Sequence, residues 1–210
     1  MIGLRDVSIH TIVAQGAEPI GRPMTISECD SNIIKKLGSR PALHVLRETI
    51  QELDETTRRR AINNLLVGLV MDEYKHEHGR GDFLIRNILG GDEETGAIAI
   101  SANVHAGQSL QYQFRDSVAA DADLQEHLEK CSEKIRQNET VLGSILCSCN
   151  GRGKGLFGQP NHDVQSLMDV IGSKPTAGFF CNGEIGPVGS TTFLHGYTSS
   201  FGIFRKSNRT

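Results

Sequence analysis

The sequence has no apolar run near the roughly 18 residues that a helix needs to cross a bilayer. Its longest, Leu65–Met71, stops well short, which excludes a helical membrane span. Nor does the chain begin like a secretory signal. Met1-Ile2-Gly3-Leu4-Arg5-Asp6 lacks both the basic flank and the apolar stretch, so a soluble, cytoplasmic protein is expected. An excess of positive charge is missing as well. The net charge is −3, from 22 basic and 25 acidic side chains mixed along the chain, which argues against a nucleic-acid partner. The only basic run, Arg58-Arg59-Arg60, lies in a helical stretch and reads as a solvated face.

The cysteines lack the patterns that would give them a job. There are five: Cys29, Cys131, Cys147, Cys149 and Cys181. Their odd number, and the apolar strand-like runs around three of them, read as reduced and mostly buried thiols. Cys147 and Cys149 are separated by one residue, not by the spacing of a zinc knuckle. Nothing in the spacing asks for Cys149, Cys181 and His195 to hold a metal. A nucleophilic pairing of Cys149 with His195 lacks a third residue to orient it. No metal, no cofactor and no catalytic residue is expected, and the chain reads as a binding protein rather than an enzyme.

What is present is a foldable chain. Over 210 residues, 38% are hydrophobic and 22% charged, enough for one good core or for one domain and part of another. Val7, Ile9 and Val13 read as a strand closed by Gln15-Gly16, with further short strands near Met24–Ser27 and Asn32–Leu37. Pro41 stands where a helix can start; Leu43, Leu46, Ile50 and Leu53 give that helix one apolar face. Asp54 is placed to cap a second helix carrying Ala61, Ile62, Leu65 and Leu66. Strands are expected at Leu66–Met71, Phe83–Leu89, Ala97–Ser101 and Leu110–Arg115. Arg86 shares a strand face with Leu84 and Ile88 and reads as a half-buried ion-pair partner.

A long helix from about Ala120 to Asn138 carries the stripe Leu124, Leu128, Cys131 and Ile135. Val141–Cys149 is a continuous apolar run suited to an interior strand. Asp163 opens a helix lined by Val164, Leu167, Met168 and Ile171 and ended by Gly172. Thr176–Cys181 is a second apolar strand, and Phe193–Phe204 holds one or two more. The class is α+β: a mostly antiparallel mixed sheet with helices packed on it and one strand–helix–strand unit near the C-terminus.

The two strands of that unit end in nearly the same word. Cys149-Asn150-Gly151-Arg152-Gly153 follows the first, and Cys181-Asn182-Gly183-Glu184 follows the second, alike over their first three residues. Asn-Gly pairs tolerate left-handed backbone, so each strand can end in a tight loop with free N–H groups. A right-handed crossover places both loops at one sheet edge, where ligands of open α/β sheets bind. Arg152 and Glu184 then either face one cleft, where a fork for a carboxylate and an acceptor for an amine suit an amino-acid-like ligand, or pair with each other. His195 either joins the cleft or is structural. The candidate ligand-binding residues are Cys149, Asn150, Gly151, Arg152, Cys181, Asn182, Gly183, Glu184, His195 and Thr198.

These words resemble the FIST C-terminal domain. Cys149–Gly153, Gly178–Pro187 and Leu194-His195-Gly196-Tyr197-Thr198 carry the likeness, joined by Phe83–Gly90 and Phe114-Arg115-Asp116. It runs over residues 46–205. Residues 1–45, with Val13–Gly21, resemble the tail of a FIST N-terminal domain, although Ala17 stands where relatives would carry a cysteine. Most of that N-terminal domain is absent here, and with no F-box before the match and no kinase, cyclase or receiver segment after it, a signalling output is expected to come from a partner or from missing sequence. The resemblance implies a sensory module of signal transduction that binds small ligands such as amino acids. Its alternative is a protein-binding adaptor, since related F-box proteins use this region to recognise substrates of a ubiquitin ligase.

Overall fold

The computed structural model describes residues 4–135 and 140–206. The chain forms two compact units: Ala17–Ala119, and a unit built from the chain on either side of it. These boundaries differ from a division at residue 45, because the first strand belongs with the last part of the chain.

That first strand is β1 (Val7–Ala14). The inner unit then runs β2 (Glu18–Pro19), β3 (Met24–Asp30), β4 (Ile33–Leu37), β5 (Arg40–Pro41), α1 (Ala42–Gln51), α2 (Glu55–Ala61), β6 (Leu65–Val70), β7 (Phe83–Gly91), β8 (Ile98–Ile100) and β9 (Ser109–Phe114). Its strands follow one another β9–β3–β4–β8–β7–β6, and β6 pairs back onto β9, so the sheet closes into an antiparallel barrel. β2 continues the place of β3 beside β9. Closure removes the open edges that would otherwise invite pairing with another chain. Ile26, Ile34, Leu37, Leu69, Phe83, Ile98, Ile100, Leu110 and Phe114 are buried in this unit.

The helices begin where their residues say they should. α1 starts directly after the extended Pro41, whose missing N–H costs nothing there. The Asp54 side chain caps α2 by accepting from the backbone N–H of Thr56 and of Thr57. Leu65 and Leu66, expected on that helix, lie instead in β6. Short apolar runs fit either period, and pairing with β7 and β9 decides it here. Arg58 and Arg59 pair with Glu55, whereas Arg60 reaches Asp116 and Glu18 and lies over the Phe114 ring. Arg86 corrects another expectation. Among the described residues it has no carboxylate partner; its guanidinium donates to the carbonyl of Ile85, and burial alone pulls its pKa below the usual arginine range.

The outer unit continues with α3 (Ser117–Ile135), β10 (Val141–Cys149), α4 (Lys154–Phe157), α5 (His162–Ile171), β11 (Thr176–Cys181), β12 (Glu184–Val188), β13 (Thr191–His195) and β14 (Ser199–Lys206). The expected α3 stripe holds at Leu124, Leu128 and Cys131; the Ile135 side chain and Asn138 lie outside what is described. The strand order is β1–β14–β10–β11, antiparallel except for the parallel pair β10–β11 that α5 connects. β12 and β13 form a separate hairpin. Leu124, Leu128 and Cys131 of α3, with Leu167 and Ile171 of α5, pack on one sheet face against Ile12, Leu146, Phe201 and Ile203. The α+β class and the strand–helix–strand unit are present, with the described strands divided among three sheets.

Candidate functional site

The parallel register brings the two repeated words together. Cys149 lies opposite Cys181, and the Asn150 N–H donates to the Cys181 carbonyl at 2.8 Å. The 195–198 segment joins them: the Cys149 N–H donates to the Thr198 carbonyl at 3.0 Å, and His195 stands opposite Glu184 in the hairpin. Three stretches distant in sequence thus meet at the end of β10 and β11. Glycine is required at two of these points. A Cβ on Gly151 would strike the Tyr197 ring, and Gly153 holds φ +63 beneath the Phe180 ring.

The charges did not end up facing an open cleft. Arg152 and Glu184 are each only 1% exposed. Arg152 donates from Nε to Asp163 Oδ2 (2.8 Å) and from Nη2 to Asp163 Oδ1 (2.9 Å), a two-pronged ion pair. Its Nη1 donates to the Tyr197 carbonyl at 3.3 Å, and its guanidinium lies 5.2 Å from the centre of the Phe157 ring. Glu184 accepts from the Cys181 thiol (3.3 Å), the Gly183 N–H (3.2 Å) and the Thr198 N–H (3.2 Å). The reason is energetic: a buried charge left without a partner costs several kcal/mol. Each therefore takes partners within the fold, and neither pairs with the other. Of the remaining candidates, Asn150 and Asn182 stay exposed, while His195 is buried with Nε2 2.9 Å from the Gly186 carbonyl oxygen.

Electrostatics follow from these partners. Burial alone would raise the Asp163 carboxyl. The hydrogen bonds and charge of Arg152, with His162 and the Ser148 hydroxyl, outweigh it and hold the pKa down at about 2. The Cys181 thiol is pushed up to about 12, first by burial and then by the Glu184 carboxylate beside it. A thiol so held is a poor nucleophile at neutral pH. Among the described residues no cluster of His, Cys, Asp and Glu is arranged to hold a metal ion.

The opening lies beside the converged turns. A cleft of about 220 Å³ runs between β11 and the start of α5, lined by Leu146, Ser148, Gly153, Asn161–Val164 and Thr176–Phe180. Asp163, the partner of Arg152, is among the cleft's lining residues. On its rim His162 places Nδ1 3.1 Å from Asp163 Oδ1 and Nε2 3.1 Å from Asp121 Oδ1, and its ring stacks on Phe157 at 3.5 Å between centroids. Asn161 takes left-handed backbone at φ 62, and no side chain caps α5. Residue-by-residue reading missed Asn161, His162 and Phe180 as cleft residues. One signal was available: Asp163, an acid in the first turn of a helix eleven residues beyond Arg152.

A sequence profile of the FIST C domain matches residues 42–187. The chain belongs to the FIST C domain family. This family is associated with signal transduction and with small-ligand binding. Two uncharacterized proteins illustrate the FIST C kinship. Rv0628c of Mycobacterium tuberculosis is 40% identical over 206 residues, covering 97% of this chain and 53% of its own length. Mb0898c of Mycobacterium bovis is 39% identical over 202 residues, covering 96% and 51%. The chain therefore spans about half the length of these relatives. Among its described residues no helix is long and apolar enough to cross a membrane.

Proposed function

We propose that this FIST C chain is the ligand-sensing part of an intracellular signal-transduction protein, and that it binds rather than transforms a small molecule of amino-acid size. The observation that carries this reading is the cleft between β11 and α5. Its lining combines apolar Leu146, Val164 and Phe180 with polar Ser148, Asn161 and His162, the composition typical of small-molecule sites. About 220 Å³ suits one small metabolite and not a dinucleotide. The Arg152–Asp163 pair neutralises itself, so it sets no charge on the ligand, and Asn161 offers a partner to the ligand's polar end. Arg152 and Glu184 hold the walls in place instead of touching the ligand.

The test is thermal denaturation against a library of amino acids and related metabolites. A true ligand at a hundred times its Kd adds about 2.7 kcal/mol to stability. Val164→Phe, which fills the cleft, should abolish that shift while leaving the ligand-free melting temperature nearly unchanged. If no compound of this size raises the melting temperature, the sensing role falls. A second reading, an adaptor that recognises a protein substrate, then gains weight. It is favoured by the outward-facing Ile185 and Leu194 of the β12–β13 hairpin, which are exposed side by side.

A further inference from the structure

The outer unit's sheet has two faces with different fates. Leu146, Phe201 and Ile12 point toward α3 and α5. Because side chains alternate along a strand, their neighbours in sequence point the other way. On that opposite face one row runs Thr11–Gly202–Ile145–Ala177 across all four strands. Ile9 and Phe204 form a neighbouring row, and Phe179 closes the far side. The β12–β13 hairpin covers only one end, where Gly186 lies against Val13. The rest is open: Ile9 is 51% exposed, Ile145 45% and Phe179 64%.

None of these side chains carries a charge; the charged residue on this face is Lys206, at its margin opposite Val7. A sheet face meant for water normally carries polar residues outward, as the inner unit does where exposed Lys35 and Lys36 on β4 pair with half-buried Glu28 on β3. An uncharged apolar patch on a four-stranded sheet is instead what the inner surface of a two-sheet sandwich looks like. Small residues at Gly202 and Ala177 leave hollows between Ile9, Ile145 and Phe179 into which a second sheet can set its side chains.

We infer that this face docks a second sheet, supplied by the half of the relatives' length that this chain does not span. The match to Rv0628c uses 53% of that protein, so a stretch of nearly equal size accompanies this domain there. A partner held on the same polypeptide is present at high effective concentration. It can keep the face covered continually, which is why the face needs no charges for its own solubility. The second sheet lies against the open face of β1, β14 and β10, while the cleft opens between β11 and α5, with Ala177 and Phe179 bordering both.

The experiment expresses the remaining segment of Rv0628c as a separate polypeptide and mixes it with this chain. Light scattering after size exclusion should find a one-to-one complex. Ile145→Lys and Phe179→Lys, both at exposed positions and therefore able to fold, should keep the free chain's melting temperature and weaken the complex on the order of 100-fold. Lys35→Glu should bind like the parent. Cys147, partly exposed on the same face, should react with iodoacetamide in the free chain and be protected in the complex. Where the segment is insoluble alone, it is fused to this chain and Cys147 labelling is read there. The inference is overturned if the lysine variants bind as tightly as the parent. It is equally overturned if Cys147 stays reactive in the complex or fusion, if the chain remains alone beside a folded segment, or if the face proves to be occupied by a second copy of this chain.

Discussion

The inner unit and the outer unit solve the same problem of a sheet's edges in opposite ways. In the inner unit β6 returns to β9 and the sheet closes on itself, so its stability rests on apolar packing at Ile26, Leu69, Phe83 and Phe114. The outer unit leaves β1 and β11 as edges and one face open. It compensates with buried charge: Arg152 on Asp163, and Glu184 on the thiol and backbone N–H groups around it. A closed barrel needs no specific polar links to fix its register, because closure does so. An open sheet that must hold three loops in one place does need them. The candidate cleft lies in the outer unit, beside this ion pair.

The sharpest way to break this contrast is to remove one half of the pair. Arg152→Leu leaves Asp163 buried without compensation and should cost about 4 kcal/mol, read as a lower urea midpoint. Amide hydrogen exchange should rise across β10, α5 and β11 and stay protected in β6 and β9. Arg152→Leu with Asp163→Leu should recover most of the loss, since two apolar groups replace two charges. Equal loss in the single and double variants would trace the cost to Arg152's other contacts, the Tyr197 carbonyl and the Phe157 ring, and not to an uncompensated Asp163 charge.

How much of this was readable beforehand divides along the same line. Strand alternation and turn residues located β1, β3, β4, β7 and β10, and three-and-four spacing located α1 and α5, because those signals are local. Barrel closure was not legible: nothing near Leu65 says that it will lie opposite Phe114, some fifty residues away. β12 was missed because Glu184-Ile185-Gly186-Pro187-Val188 reads as turn chemistry and becomes a strand only by pairing with β13. At the site, the convergence of the two Asn-Gly words followed from parallel strands and was foreseeable. The sealing of Arg152 was not, because its partner comes from α5, and helix-capping rules gave Asp163 a local role instead of a tertiary one.

Acid should sharpen the contrast with a smaller effect. The folded pKa of Asp163 is about 2, below the ordinary aspartate value of about 3.9, so the unfolded chain binds the proton more readily. The pair's contribution is complete above roughly pH 4 and is lost as pH falls toward 2, amounting to about 2 kcal/mol. In the inner unit Asp116 is lowered too, chiefly by Arg60, but that pair is partly exposed and water screens it. Hydrogen exchange followed from pH 5 to pH 2.5 should therefore loosen α5 and β11 before β6 and β9. Simultaneous loosening would remove Asp163 as the cause.

The smallest effect concerns the thiol beside the second turn. Burial and the Glu184 carboxylate both favour protonated Cys181, so its alkylation by iodoacetamide at pH 8 should be slow compared with a free cysteine. Glu184→Gln removes the negative charge but keeps an oxygen that can accept from the Thr198 N–H. The thiol pKa should then fall and the labelling rate should rise several-fold, though burial still holds it below that of free cysteine. The direction matters more than the size. A carboxylate placed to activate a nucleophile would give the reverse, a slower reaction on its removal, and the outer unit would then be built for chemistry and not for holding a ligand.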